Sequence, residues 1–166
     1  MCNTPFRRHK TWVHEGGIST PMIAHWPKGI PARGELRHAP AHIIDLAPTL
    51  LELAGGKAPE SLDGRPVPPA PGRSLRSLFA TDGPSPHESI WWLHEGNRAL
   101  RSGSWKIVAS GKDAPWELYD LSADRSESRD LAQAQPDRVR ELEALWKKQT
   151  EEIFGLARKD LPEKKP

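Results

Sequence analysis

The run STPMIAHWP (Ser19–Pro27) sets the hardest constraint on how this chain can fold. Met22, Ile23 and Ala24 are apolar without alternation and a proline closes them, the pattern of a strand covered on both faces. A strand of that kind needs neighbours, because buried N–H and C=O groups without partners are costly. Every other strand-like segment lies after residue 88, and those segments read as an antiparallel sheet of their own. Residues 1–56 are therefore expected to be the last βα portion of a larger α/β domain.

The following segment, HIIDLAPTLLELAGG, places Ile43, Leu46, Ala47, Leu50, Leu51, Leu53 and Ala54 at helical spacing. Asp45 suits an N-cap, Pro48 falls in the first turn where a missing N–H is tolerated, and Gly55-Gly56 supply the stop. Many of the 17 prolines fall in residues 57–88, which read as an irregular connection with one short helix in GRSLRSLFA. Strand texture then begins. SIWWL, RALRSG, SWKIVAS and WELYDL predict an antiparallel meander, with Trp105, Ile107 and Ala109 on one face. PDRVRELEALWKKQTEEIF opens with Pro136 and aligns Val139, Leu142, Leu145, Trp146, Gln149 and Ile153 in a stripe, predicting a helix over about 136–154. The fold class expected is thus α/β followed by α+β, with a small antiparallel-sheet subdomain at 89–154, its helix C-terminal, and a disordered tail at 155–166.

Charge and cysteine content exclude several functions. A net charge of +2, with basic residues scattered among 22 acids, gives no stripe for nucleic acid. No apolar run reaches the length of a membrane span, so no membrane role is expected. One cysteine rules out an internal disulfide and a cysteine-based zinc site.

Four places hold candidate chemistry. Cys2, with Arg7 and Arg8 nearby, is a thiol that no local base activates. Lys10 precedes a Gly16-Gly17 turn, with Glu15 five residues on; a lysine on such a turn can grip an oxyanion, or simply be solvated. The glycines would allow close backbone approach or positive φ. His38 and His42 have the spacing of a helical metal pair, but Pro40 argues against a helix there. His94, Glu95, Asn97 and Arg98 share a turn beside two tryptophans, which suits either ligand recognition or an ordinary hairpin.

Four runs in order, NTPFRRHKTWVHEGGISTPMIAHWPKGI, IIDLAPTLLELAG, HEGNRALRSGSWKIV and WELYDLSADRSESRDLA, resemble the C-terminal part of the arylsulfatases of the type I, formylglycine-dependent sulfatase family, which belongs to the alkaline-phosphatase-like superfamily. The resemblance spans about Asn3 to Phe154. It rests most on K-x4-E-G-G-x3-P and ELYDL-x2-D-x2-E-x2-DLA. It implies hydrolysis of sulfate esters, aryl or carbohydrate, by a formylglycine nucleophile and a calcium ion. Both would lie in a missing N-terminal catalytic portion, so no cofactor is expected in this fragment. Lys10 matches the lysine that contacts the sulfate and leaving-group oxygens in sulfatases; His94 and Asn97 fall where the subdomain edges the substrate pocket. Arg7, His9 and His14 match no catalytic position. CNTPFR is one residue too long for the formylglycine motif, which makes Cys2 a decoy. A periplasmic or secreted setting is implied where an upstream signal exists. Two other readings stay open: a phosphate or phosphonate ester hydrolase of the same superfamily, and a non-catalytic module that binds sulfated glycans.

Overall fold

The computed structural model describes residues 4–31 and 34–158. In chain order its elements are helix α1 (Glu15–Ile18), a 3-10 turn (Ile43–Asp45) running into α2 (Leu46–Leu53), the short strands β1 (Ser61–Leu62) and β2 (Arg65–Pro66), and α3 (Arg76–Ala80). Strands β3 (Ser89–His94), β4 (Asn97–Ser102), β5 (Trp105–Ala109) and β6 (Glu117–Asp120) follow, and α4 (Pro136–Arg158) comes last. These elements form two units, one from residues 4–21 and 89–158, the other from residues 22–31 and 34–88.

The first unit is built on the expected meander, an antiparallel sheet in the order β3-β4-β5-β6. Its first hairpin closes through Glu95 and Gly96, both at positive φ (49° and 80°), the backbone that a two-residue turn needs to match strand twist. Both faces of the sheet are buried. On one, Leu100, Ile107 and Leu118 meet Leu142 of α4, with Trp105, Trp116 and Trp146 around them. On the other, Ala99, Val108 and Tyr119 meet Leu121 and Val13, the latter from the loop before α1. Trp146 stacks on Trp91 with centroids 6.2 Å apart, and Trp91 Nε1 donates to Thr150 Oγ1 at 2.8 Å, which fastens α4 to β3.

Helix α4 runs one turn beyond its expected end, so residues 155–158 are helical rather than disordered. Gly155 is not in the left-handed conformation that ends helices, and the next proline is Pro162. The rest of the expected tail, 159–166, lies outside the described residues, as does Cys2. The compact units also cut across the expected boundary at residue 56: residues 4–21 pack with the sheet rather than with 22–56.

The second unit is tied by polar groups. The Asp45 carboxylate accepts from the backbone N–H of His42 and Arg73, each at 2.8 Å, and lies 2.7 Å from His87 Nε2. Asp45 occupies the expected N-cap position of α2, but its side chain reaches back to His42 and out to Arg73 instead of capping the helix. Thr49 Oγ1 donates to the Asp45 carbonyl and accepts from Leu75 N. Residues 61–66 form a hairpin unforeseen in the Pro-rich connection; Asp63 and Gly64 (φ 50° and 75°) make its turn. The expected strand at Ser19–Pro27 is absent. Its residues form no ladder, and Ile23 is 93% exposed. A strand is held by pairing, and no neighbour in this unit supplies it.

Candidate functional site

Residues 6–18 wind into a tight loop against the second face of the sheet. The N–H of Trp12 donates to the His9 carbonyl (3.2 Å) and that of Gly16 to the Arg7 carbonyl (2.9 Å). A Cβ on Gly16 would sit 2.3 Å from the Arg7 carbonyl oxygen, and one on Gly17 1.8 Å from that of Trp12. Neither glycine has positive φ, so of the two uses foreseen for them the loop requires close approach. Arg8 and Thr11 carry the unusual backbone instead, at φ 66° and 95°. Between them Lys10 is exposed at the apex of the turn, and among the described residues it enters no ion pair.

Buried charge anchors the loop. Lys106 of β5 is fully buried and pairs with Glu15 (3.1 Å) and Glu127 (2.8 Å). Glu127, at φ 55°, also accepts from the N–H of Glu15 at 2.8 Å. Its Oε1 faces Lys106 as a close ion pair without hydrogen-bond alignment. Arg125 reaches the other oxygen of Glu15 at 3.3 Å, so two cations balance two carboxylates. Beside this group, Arg7 donates to Tyr119 Oη (2.5 Å), to Glu117 (3.1 Å) and to the Glu127 carbonyl (2.9 Å). Tyr119 Oη donates in turn to Glu117, whose carboxylate also meets His14 Nε2 at 3.3 Å. The contact with His14, reinforced by those with Tyr119 and Arg7, holds the Glu117 carboxyl down at about 2. Burial and the same carboxylate push the Tyr119 phenol up.

The two motif runs of the sequence are therefore physical partners. The glutamate of E-G-G and the middle glutamate of D-x2-E-x2-D share one lysine. The flanking aspartates shape the loop that delivers Glu127: Asp124 accepts from Ser128 N and Arg129 N, and Asp130 from Leu118 N and Ala132 N. Sequence reading missed Lys106, Glu127, Glu117 and Arg7 as members of one network. The available signal was a lone lysine between apolar neighbours in SWKIV, where alternation places it on a face that something must cover.

Of the candidate residues, Asn97 reaches the turn that carries Lys10, at Thr11, and His94 is the partner of Asn97 across the hairpin. Asn97, at the start of β4, is only 7% exposed and its Nδ2 donates to the Thr11 carbonyl at 3.1 Å. His94 pairs with Asn97 across the hairpin and is exposed. The neighbouring Arg98 turns away, donating to the carbonyls of Gly111, Lys112 and Ala114. His38 and His42 are not placed together on a helix. Among the described residues no group of three His, Cys, Asp or Glu side chains could hold a metal ion, and no helix is long and apolar enough to cross a membrane.

An antiparallel sheet backed by a C-terminal helix, carrying an exposed lysine on a loop locked by two acidic motifs, defines a small α+β domain. Comparison with known proteins gives the family. The sequence model for the C-terminal region of N-sulphoglucosamine sulphohydrolase matches residues 7–154, and the chain belongs to that family of sulfatase C-terminal regions. It is 33% identical over 148 residues to an uncharacterized sulfatase of Schizosaccharomyces pombe, covering 86% of this chain and 26% of that protein. Arylsulfatase D of Homo sapiens is 34% identical over 145 residues, covering 70% and 24%. Among solved structures, a sulfatase described with the metabolism of multiple glycosaminoglycans by Bacteroides thetaiotaomicron superposes with TM-score 0.68 at 28% identity, covering 86% of this chain and 31% of that one. Ps i-CgsB in complex with a neocarrahexaose superposes with TM-score 0.65 at 29% identity, covering 87% and 32%. The chain thus spans about a quarter of the length of these curated relatives.

Proposed function

We propose that this chain is the C-terminal part of a sulfatase that cleaves sulfate esters, and that its contribution to the reaction is Lys10. The observation that supports this reading is that Lys10 stands exposed at the apex of the loop and enters no ion pair among the described residues, whereas Arg7 and Glu15 are consumed in holding the loop and Arg8 lies over the Trp12 ring. Sulfuryl transfer builds negative charge on the non-bridging and leaving-group oxygens. A fixed ammonium beside them stabilises that charge more in the transition state than in the ground state. Residues 22–56 supply the end of the α/β catalytic domain in the complete protein. The nucleophile and calcium belong to its N-terminal portion. The substrate is an aryl or carbohydrate sulfate; the carbohydrate connections of the solved relatives support the latter.

Three measurements test this. The reading frame before the Met1 codon should continue through an Asp-Asn pair to a C-x-P-x-R or S-x-P-x-R motif; a genuine stop and ribosome site there would refute it. The purified 166-residue chain should turn over no aryl sulfate. In the completed protein Lys10→Ala should lower kcat by roughly 100-fold, the scale seen when one electrostatic donor is removed.

A further inference from the structure

We infer that Asn97 is a positioning residue for Lys10: its side-chain amide, anchored in the sheet, fixes the turn that presents the lysine. This rests on the reading of Lys10 given above. The turn His9–Trp12 is closed by the Trp12 N–H on the His9 carbonyl, and its third residue, Thr11, holds φ at 95°. A β-branched residue at such a φ is strained and persists only where its surroundings over-determine it. The loop's own backbone bonds move with the loop. The Asn97 amide does not, because β4 pairs with β3 through His94 on one side and with β5 on the other.

Asn97 follows the Glu95–Gly96 turn directly, so its backbone is set by the hairpin while its side chain points into the unit, almost fully buried. Nδ2 reaches the Thr11 carbonyl at 3.1 Å, one peptide away from Lys10. The Asn97 amide is thus committed to the loop and almost fully buried, rather than offered to a substrate as the resemblance implied. It acts on Lys10 instead. A lysine on four rotatable bonds gains most from a fixed backbone, because a displacement of about 1 Å at a reacting group can cost on the order of 100-fold in rate.

The test uses the full 166-residue chain with Asn97→Leu, which keeps the branched shape and removes the donor, and Asn97→Ala as a second variant in case the larger leucine disturbs packing. Amide exchange at residues 9–12 should speed up roughly 3- to 10-fold, the factor one hydrogen bond supports, while exchange in β4 and β5 stays as in the parent. Thr11→Gly, which relieves the strained φ, should shrink that change. In the completed protein the same variants should lower kcat about 10-fold with KM little altered. Unchanged exchange at 9–12, or an increase spread evenly over the sheet, overturns the tether. Faster exchange at 9–12 with unchanged turnover overturns the positioning role if Lys10→Ala still lowers kcat, and removes Lys10 from the reaction if it does not.

Discussion

In the unit built on the sheet, Leu100, Ile107, Val108 and Leu118 are fully buried; among the described residues of 22–88 the side chain at zero exposure is a carboxylate, Asp45, with Leu75 at 2% the buried apolar one. The first unit covers both faces of its sheet, one with α4 and one with the loop from the N-terminal end, and places a neutral group of four charges where the loop meets the sheet. The second joins its turns through Asp45, Thr49, Arg37 and Asp82, mostly by side chains bonding backbone, and leaves Met22, Ile23, Leu36, Ile43, Leu50 and Leu62 in the open. Polar ties of this kind fix geometry, but each contributes only about 1 kcal/mol net, far less than an apolar core. The difference supports the proposal that residues 22–56 are the edge of a larger α/β domain.

The largest effect should come from breaking the buried charge group. Lys106→Met leaves Glu127 without its cation and Glu15 with Arg125 alone, and a buried pair that loses one partner costs about 3–5 kcal/mol. Urea unfolding followed by tryptophan fluorescence should show the sheet unit shifted by that amount. A loss under 1 kcal/mol would mean that Arg125 alone neutralises both carboxylates. Next is acid. The Glu117 carboxyl ionises at about 2 when folded against an ordinary value of 4.5, so its stabilisation is complete above 4.5 and lost as pH falls toward 2. The depression corresponds to about 3 kcal/mol. Stability measured from pH 5 down to 2 should decline in the parent, and Glu117→Gln should flatten that decline.

The meander was legible because alternation, turn chemistry and strand spacing all act within a few residues, and the same holds for α2 and for the Pro136 start of α4. Lys10 was singled out by the Gly16-Gly17 turn that follows it, but the role proposed for it came only through resemblance. The charge group was not legible, since it pairs residues 91 and 112 positions apart and no local pattern reports a partner at that range. The apolar run at Met22–Ala24 misled in a useful way. Its pattern belongs to a strand, but a strand exists only by pairing, and in this unit it is left extended and exposed. The hairpin at 61–66 was missed although Asp63-Gly64 is the dipeptide that such turns favour, because two-residue strands leave no periodicity to read.

A smaller effect is expected at Gly17. Its Cβ would overlap the Trp12 and His9 carbonyl oxygens at 1.8 and 2.8 Å, and these are backbone atoms that cannot rotate aside. Gly17→Ala should cost about 1–3 kcal/mol by overpacking and should disturb the Lys10 turn in particular, seen as faster amide exchange at residues 9–12. An alanine tolerated without change would mean that the loop backbone opens freely, which the buried bonds of Arg7 and Glu15 argue against.

The smallest effect sharpens the comparison most. Ile23→Ser replaces a side chain that is 93% exposed and should alter the stability of the 166-residue chain by less than about 0.5 kcal/mol, since substitutions away from any packed feature do little. In the completed protein the same residue should sit in a paired, two-sided strand, and losing it there should cost about 2–5 kcal/mol, as for other large apolar side chains cut back in a core. Measuring the one substitution in both chains compares the two settings directly. Equal, negligible effects would show that nothing covers Met22–Ala24 and would undo the proposal that residues 22–56 complete a larger α/β domain. A large effect in the short chain would show that Ile23 is already packed there, against the exposure on which the contrast between the units depends.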